Sequence, residues 1–164
     1  MELIDIDAVM APHCVVPIKG DEMCFFYSLS YFMFRTDLQA PQVKVSVVQH
    51  ICNNWQRFQE FTMMLCGNIY RTMVEYQGHM SLRTTYTTHC EIKAADEIYP
   101  YHLVVYRDGK MIVKFGEPVE GTPILRFRYS GSMMSSHFEP LIRICYSSST
   151  TTCCGSPYPY IYYM

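Results

Sequence analysis

The stretch Pro17-Ile18-Lys19-Gly20-Asp21-Glu22-Met23-Cys24-Phe25-Phe26-Tyr27-Ser28-Leu29-Ser30 decides how this chain is read. A turn-prone Gly20-Asp21 leads into a cysteine, and the cysteine opens an apolar run. Phe25, Phe26, Leu29, Phe32 and Met33 recur at helical spacing, which predicts a helix over residues 24–35. A thiol at a helix start faces unpaired backbone N–H groups and the positive end of the helix dipole, and both favour the thiolate. Far downstream stands Ser136-His137-Phe138-Glu139-Pro140-Leu141, a histidine with an acid two residues on. A cysteine, a distant histidine and a polar group to orient the histidine are the parts of a cysteine hydrolase site.

The rest of the composition sets bounds on that reading. At 164 residues, 49% of them hydrophobic, the chain has the size and apolar content of one folded domain. Its net charge of −2, with no block of like charges, argues against nucleic acid or an anionic membrane as partner. No apolar run approaches the ~18 residues that suggest a membrane-spanning helix. The start Met1-Glu2-Leu3-Ile4-Asp5-Ile6-Asp7 lacks the basic region of a signal peptide, so an intracellular, cytoplasmic setting is expected. Of the eight cysteines, six stand singly, Cys153 and Cys154 are adjacent, and no C-x-x-C occurs. Neither structural zinc nor disulfides are expected from that spacing. Cys52, Cys66, Cys90 and Cys145 read as small buried hydrophobes, and His13, His50, His79, His89 and His102 as structural.

Outward from the Cys24 segment, Pro12 and Pro17 bracket an extended lead-in with Val15, Val16 and Ile18 as core positions. Residues 43–47 alternate like a strand. Val47, Val48, Ile51, Trp55 and Phe58, however, form a stripe at three- and four-residue spacing, so a helix is expected over 41–53 with Pro41 in its first turn. Further helical segments are expected over 55–65, over 69–76 with Gly78 ending it, and over 90–99, stopped by Pro100. The period then changes to two. Strands are expected over 102–106 and 110–115, joined by an Asp108-Gly109 hairpin turn, then over 124–129 and 137–144, with Pro140 marking an edge or a strand start. Helices followed by a small antiparallel sheet make an α+β domain over 1–146. Residues 147–164, low in complexity and rich in Ser, Thr, Pro and Tyr, read as a disordered tail.

The order and spacing of these segments resemble the ovarian tumour (OTU) family of cysteine proteases. The family's Gly-Asp-Gly-Asn-Cys-Leu/Phe-Phe is matched by Gly20-Asp21-Glu22-Met23-Cys24-Phe25-Phe26. Val47 to Trp55, and Glu91 to Tyr99 followed by Leu103-Val104-Val105-Tyr106, are similar to its later segments. Ser136-His137-Phe138-Glu139-Pro140-Leu141 resembles its His-Tyr-Asn/Asp-x-Leu. The resemblance implies a papain-like OTU fold with a small antiparallel-rich sheet packed between helices. It implies Cys24 as nucleophile, His137 as general base and Glu139 as the orienting group. The backbone N–H groups of Asp21 and Cys24 would form the oxyanion hole. The implied substrate is the isopeptide bond after ubiquitin or a ubiquitin-like modifier, with no metal or organic cofactor.

Two departures from the family pattern bear on chemistry. Glu22 stands in place of glycine, so a positive φ there would be strained, and its charge lies two residues from the thiol. Pairing with Lys19 is one way the loop could adapt to it. Glu139 is one methylene longer than Asp and must fold back to reach the imidazole. Together they imply a slowed enzyme, or a module that binds ubiquitin without cutting it. Were Glu139 not the orienting group, Asp5 or Asp7 would be the next candidates.

Overall fold

The apolar run after Cys24 forms helix α1 (Cys24–Phe34), which ends where Arg35 takes a left-handed φ of 60° and its N–H returns to the Tyr31 carbonyl. The computed structural model describes residues 1–62, 64, 67–82, 84–132 and 135–144. The ambiguous segment after it is helix α2 (Ala40–Asn53), with Pro41 in its first turn and Val43, Val47, Val48, Ile51 and Cys52 buried. The next helical piece is shorter than expected. Helix α3 (Trp55–Phe58) tightens into a 3-10 turn (Gln59–Phe61) and stops, because Thr62 turns extended and its hydroxyl donates to the Gln59 carbonyl at 2.6 Å.

The helix expected over 69–76 is displaced. Helix α4 (Met73–Ser81) starts where the Thr72 side chain accepts the Glu75 N–H at 3.1 Å, while the Glu75 carboxylate accepts the Arg71 N–H. Threonine and glutamate three residues apart are an N-terminal signature. Gly78 lies inside this helix, not at its end, because Tyr76 and Met80 on either side of it are buried. Helix α5 (His89–Ile98) opens on a full capping box of Thr88 and Glu91.

Strands β1 (Glu2–Ile6), β2 (Val9–Val15), β3 (His102–Arg107), β4 (Lys110–Lys114), β5 (Ile124–Ser130) and β6 (His137–Arg143) form one sheet in the order β1-β2-β6-β5-β3-β4. It is antiparallel-rich, as expected, but β3 and β5 run parallel. The expected extended lead-in is extended, as strand β2 up to Val15, and the unexpected strand β1 pairs with it to make a hairpin. Val15, Val16 and Ile18 are half-buried, with Ile18 packed against the main core and Val15 against the second, while Ile4, Ala11 and His13 are buried. Pro140 is not on an edge strand, since β6 lies between β2 and β5. It sits where β2 ends: the Pro140 carbonyl takes the Val16 N–H at 2.9 Å, and no partner is there for an N–H it lacks.

The sheet has two covered faces. Leu103, Val105, Phe127 and Phe138 join α1, α2, α4 and α5 in the main core. The helices thus gather on one face. The alternate residues Val104, Tyr106 and Leu141 pack with Ile4 in a second core, which the N-terminal hairpin covers. The sheet curls far enough for its two edges to meet, and the Asp5 N–H donates to the Gly109 carbonyl at 2.8 Å.

Both tight turns take φ > 0 at two positions, Asp7 (51°) and Ala8 (66°) in the first, Asp108 (50°) and Gly109 (76°) in the second. Such primed turns match the twist of a hairpin. A Cβ on Gly109 would lie 2.6 Å from the Leu3 carbonyl oxygen. Gly109→Ala should therefore destabilise the fold by about 1–3 kcal/mol, the usual range for forced backbone strain. Ala8→Gly should stabilise it by relieving a left-handed alanine. Urea unfolding of both variants checks the two signs.

Candidate active site

Cys24 is the first residue of α1, as the sequence implied, but it is buried, with 2% exposure. Asp21 builds the approach to the helix. Its Oδ1 accepts the Met23 N–H at 2.9 Å, and its carbonyl accepts the Cys24 N–H at 3.1 Å. The Cys24 sulfur sits between the two residues that flank His137. It donates to the Ser136 carbonyl at 3.6 Å and accepts the Phe138 N–H at 3.3 Å. Two residues 113 positions apart in the chain are thus brought together by one helix start and one strand start.

His137 opens β6. Its Nε2 faces Glu139 Oε1 at 3.5 Å, longer than the roughly 2.7–3.2 Å of an ordinary N–H···O bond. Its Nδ1 is buried and has no hydrogen-bond partner. Gly20 lies over that edge of the ring, close enough that a Cβ there would touch Cε1 and Nδ1 at 3.9 and 4.0 Å. Gly20, Asp21, Tyr86, Ser135, Ser136 and His137 line a cavity of about 120 Å³. A larger cavity, about 720 Å³, opens at the other end of the sheet around Tyr99, His102 and Pro123 and is remote from this chemistry.

Three expectations change here. Burial pushes the Cys24 thiol up to about 11, although the Phe138 N–H pulls it down and Asp21 adds to the rise. Desolvation outweighs the helix start, so the thiol is protonated at neutral pH. Second, the amides expected to form an oxyanion hole are both engaged: Asp21 N–H donates to the Lys19 carbonyl and Cys24 N–H to the Asp21 carbonyl, each at 3.1 Å. Third, Glu22 is unstrained, since no residue of the 20–24 loop has a positive φ. Lys19 pairs with Asp21 at 3.2 Å, not with Glu22. Glycine at position 22 therefore has no strain to relieve. The upstream acid that approaches this site is Glu2, not Asp5 or Asp7, both of which are exposed.

No family model matches the sequence, and no curated protein matches it. The fold does have counterparts. The viral OTU domain protease from Dera Ghazi Khan virus superposes with a TM-score of 0.61 at 19% identity, over 81% of this chain and 82% of its own. The Hazara virus OTU bound to ubiquitin gives 0.58 at 18% identity, over 84% and 89%. An ovarian tumour domain in complex with ubiquitin gives 0.63 at 19% identity, over 80% and 70%. This chain has an OTU-like fold. The α+β class and the likeness of the Cys24 and His137 segments to OTU proteases agree with it.

Within that fold, sequence reasoning passed over Tyr86, Ser28 and Arg128. Tyr86 lies in a polar loop without period, and burial, then Glu22, Cys24 and Asp21, push its phenol up. Ser28 donates to the Phe138 carbonyl at 2.9 Å, one helical turn beyond Cys24. Cys52 and Cys90 are buried thiols as expected, whereas Cys66, Cys145 and the tail lie outside the described residues.

The high thiol pKa carries a kinetic signature. Without ubiquitin, alkylation of Cys24 by iodoacetamide should rise about tenfold per pH unit from pH 7 and level off only near 11. Site-resolved mass spectrometry checks it. A plateau at pH 7–8 would mean that the thiol is not desolvated as described.

Proposed function

We propose that this chain is a cysteine-dependent deubiquitinase that hydrolyses the isopeptide bond at the C-terminus of ubiquitin or a ubiquitin-like modifier. The observation that carries the reading is the sulfur of Cys24 bracketed by the backbone on both sides of His137, inside an OTU-like fold. The ubiquitin-bound counterparts support the substrate class.

With Nε2 turned to Glu139, His137 leaves Nδ1 as its basic nitrogen. His137 takes the Cys24 proton as the sulfur attacks the isopeptide carbonyl. The tetrahedral intermediate collapses to a thioester, and the imidazolium gives its proton to the departing lysine amine. Water, deprotonated by His137, then attacks the thioester; the second tetrahedral intermediate breaks its C–S bond to release the ubiquitin carboxylate, and the imidazolium returns its proton to the Cys24 sulfur. For the oxyanion to be stabilised, Asp21 and Cys24 must exchange their internal carbonyl partners for the substrate oxygen. The reaction thus requires the 19–24 loop to rearrange and the sulfur to leave its bracket.

The buried, protonated thiol also favours a second reading, an OTU-like module that binds ubiquitin without cutting it. A ubiquitin with a C-terminal electrophile separates the two. The enzyme reading expects a covalent adduct on Cys24, none in Cys24→Ala, and labelling slowed on the order of 10²- to 10⁴-fold in His137→Ala. Binding that Cys24→Ala leaves unchanged, with no adduct on wild type, is the outcome expected of the binding module.

A further inference from the structure

Glu139 is not held by His137 alone. Its carboxylate is 8% exposed, and its Oε2 accepts two N–H groups of Arg128, one from Nε at 2.9 Å and one from Nη2. The other oxygen, Oε1, is the one that faces His137. Arg128 stands directly opposite Glu139 in the β5–β6 register. Its remaining nitrogen, Nη1, reaches Glu2 Oε2 at 3.4 Å. β1 and β5 are not neighbours in the sheet, so this contact crosses the curl of the sheet and ties the N-terminal strand to the same guanidinium.

A guanidinium that grips one carboxylate oxygen through two N–H groups anchors that oxygen firmly and leaves the other oxygen free to face the imidazole. That matters more for glutamate than for aspartate, because glutamate has one more rotatable bond to hold. The neighbouring arginine of the same strand cannot substitute. Arg126 stands opposite Leu141, and its Nε has no partner.

We propose that Arg128 is a positioning residue: by clamping Glu139 through Oε2 it presents Oε1 to His137 Nε2 and so aims Nδ1 at the thiol side. The polar partners of Arg128 are Glu139 and Glu2, not the thiol or the imidazole, so its effect on the base passes through Glu139. The proposal rests on the reading of His137 as the base.

The test is a double-mutant cycle on the full chain, made with Arg128→Met, Glu139→Gln and both together. A fluorogenic amide of the ubiquitin C-terminus gives kcat and KM, and thermal melting is recorded beside them. Arg128→Met is expected to lower kcat on the order of ten- to hundredfold with KM unchanged, the scale of effect of a misplaced catalytic group. It is expected to cost nothing further on the Glu139→Gln background. Arg128→Lys, which offers a point charge in place of a fork, should recover part of the loss and carries the test if the methionine variant does not fold. Wild-type kcat in Arg128→Met, or the same loss on both backgrounds, overturns the proposal. The ¹⁵N resonance of His137 Nε2 supplies a readout that needs no turnover. It should move in Arg128→Met and not in Arg126→Met. If the wild-type chain cleaves nothing, the enzyme reading fails while this resonance still decides the clamp, and an unmoved resonance overturns it.

Discussion

The first half of β6 has a strand on one side only, and the first turns of α1 take the place of the other. β2 pairs with β6 from Leu141 onward, and Val16 closes that ladder on the Pro140 carbonyl. Nearer its start, the Phe138 N–H goes to the Cys24 sulfur and the Phe138 carbonyl accepts from Ser28. Both would otherwise be unpaired backbone groups in a buried seam, at a cost of about 1–3 kcal/mol each. One side chain one helical turn from the next thus does what a strand would do. The same two contacts set the helix start against the histidine strand. Packing of Phe25 on Phe127 and Phe138 closes the seam, with ring centroids 5.5 and 5.4 Å apart.

That arrangement has a chemical consequence. A sulfur used as a structural hydrogen-bonding group is buried, protonated and poorly nucleophilic at neutral pH. The loop before it uses its own carbonyls to satisfy Asp21 and Cys24. The described conformation is therefore a resting one with respect to the proposed reaction. Substrate binding must supply the free energy to break two weak loop bonds and to free the sulfur. Those bonds are local and few, so that rearrangement leaves the rest of the α1–β6 seam intact.

Much of this was legible in the sequence because it is periodic. The stripe over Val47, Val48 and Ile51 outweighed the β-branched run of Val43-Lys44-Val45, and the helix formed. Asp108-Gly109 announced its hairpin because glycine accepts the left-handed conformation. Asp7-Ala8 makes the same kind of turn with an alanine, which disguises it, so the N-terminal hairpin and the second core beneath it went unread. Thr72 and Glu75 carried a start signal that the glycine at 78 overshadowed. The charge partners were illegible for a different reason. Which residue faces Glu139 depends on the register between β5 and β6, and a loop of unknown shape sets that register. The state of the thiol is not legible because a helix start is visible in sequence and its burial is not.

The central claim is that Cys24, His137 and the Asp21 loop form one site that opens onto the end of ubiquitin. The most direct measurement is a crystal structure of the chain after reaction with a ubiquitin electrophile. The account predicts a bond from the Cys24 sulfur to the probe, with the sulfur withdrawn from Ser136 and Phe138. The Asp21 and Cys24 N–H groups should have left their carbonyl partners to face the probe's oxygen, and His137 Nδ1 should point at the sulfur. An adduct on a different cysteine, or a Cys24 adduct with the loop bonds unchanged and the imidazole turned away, would contradict it.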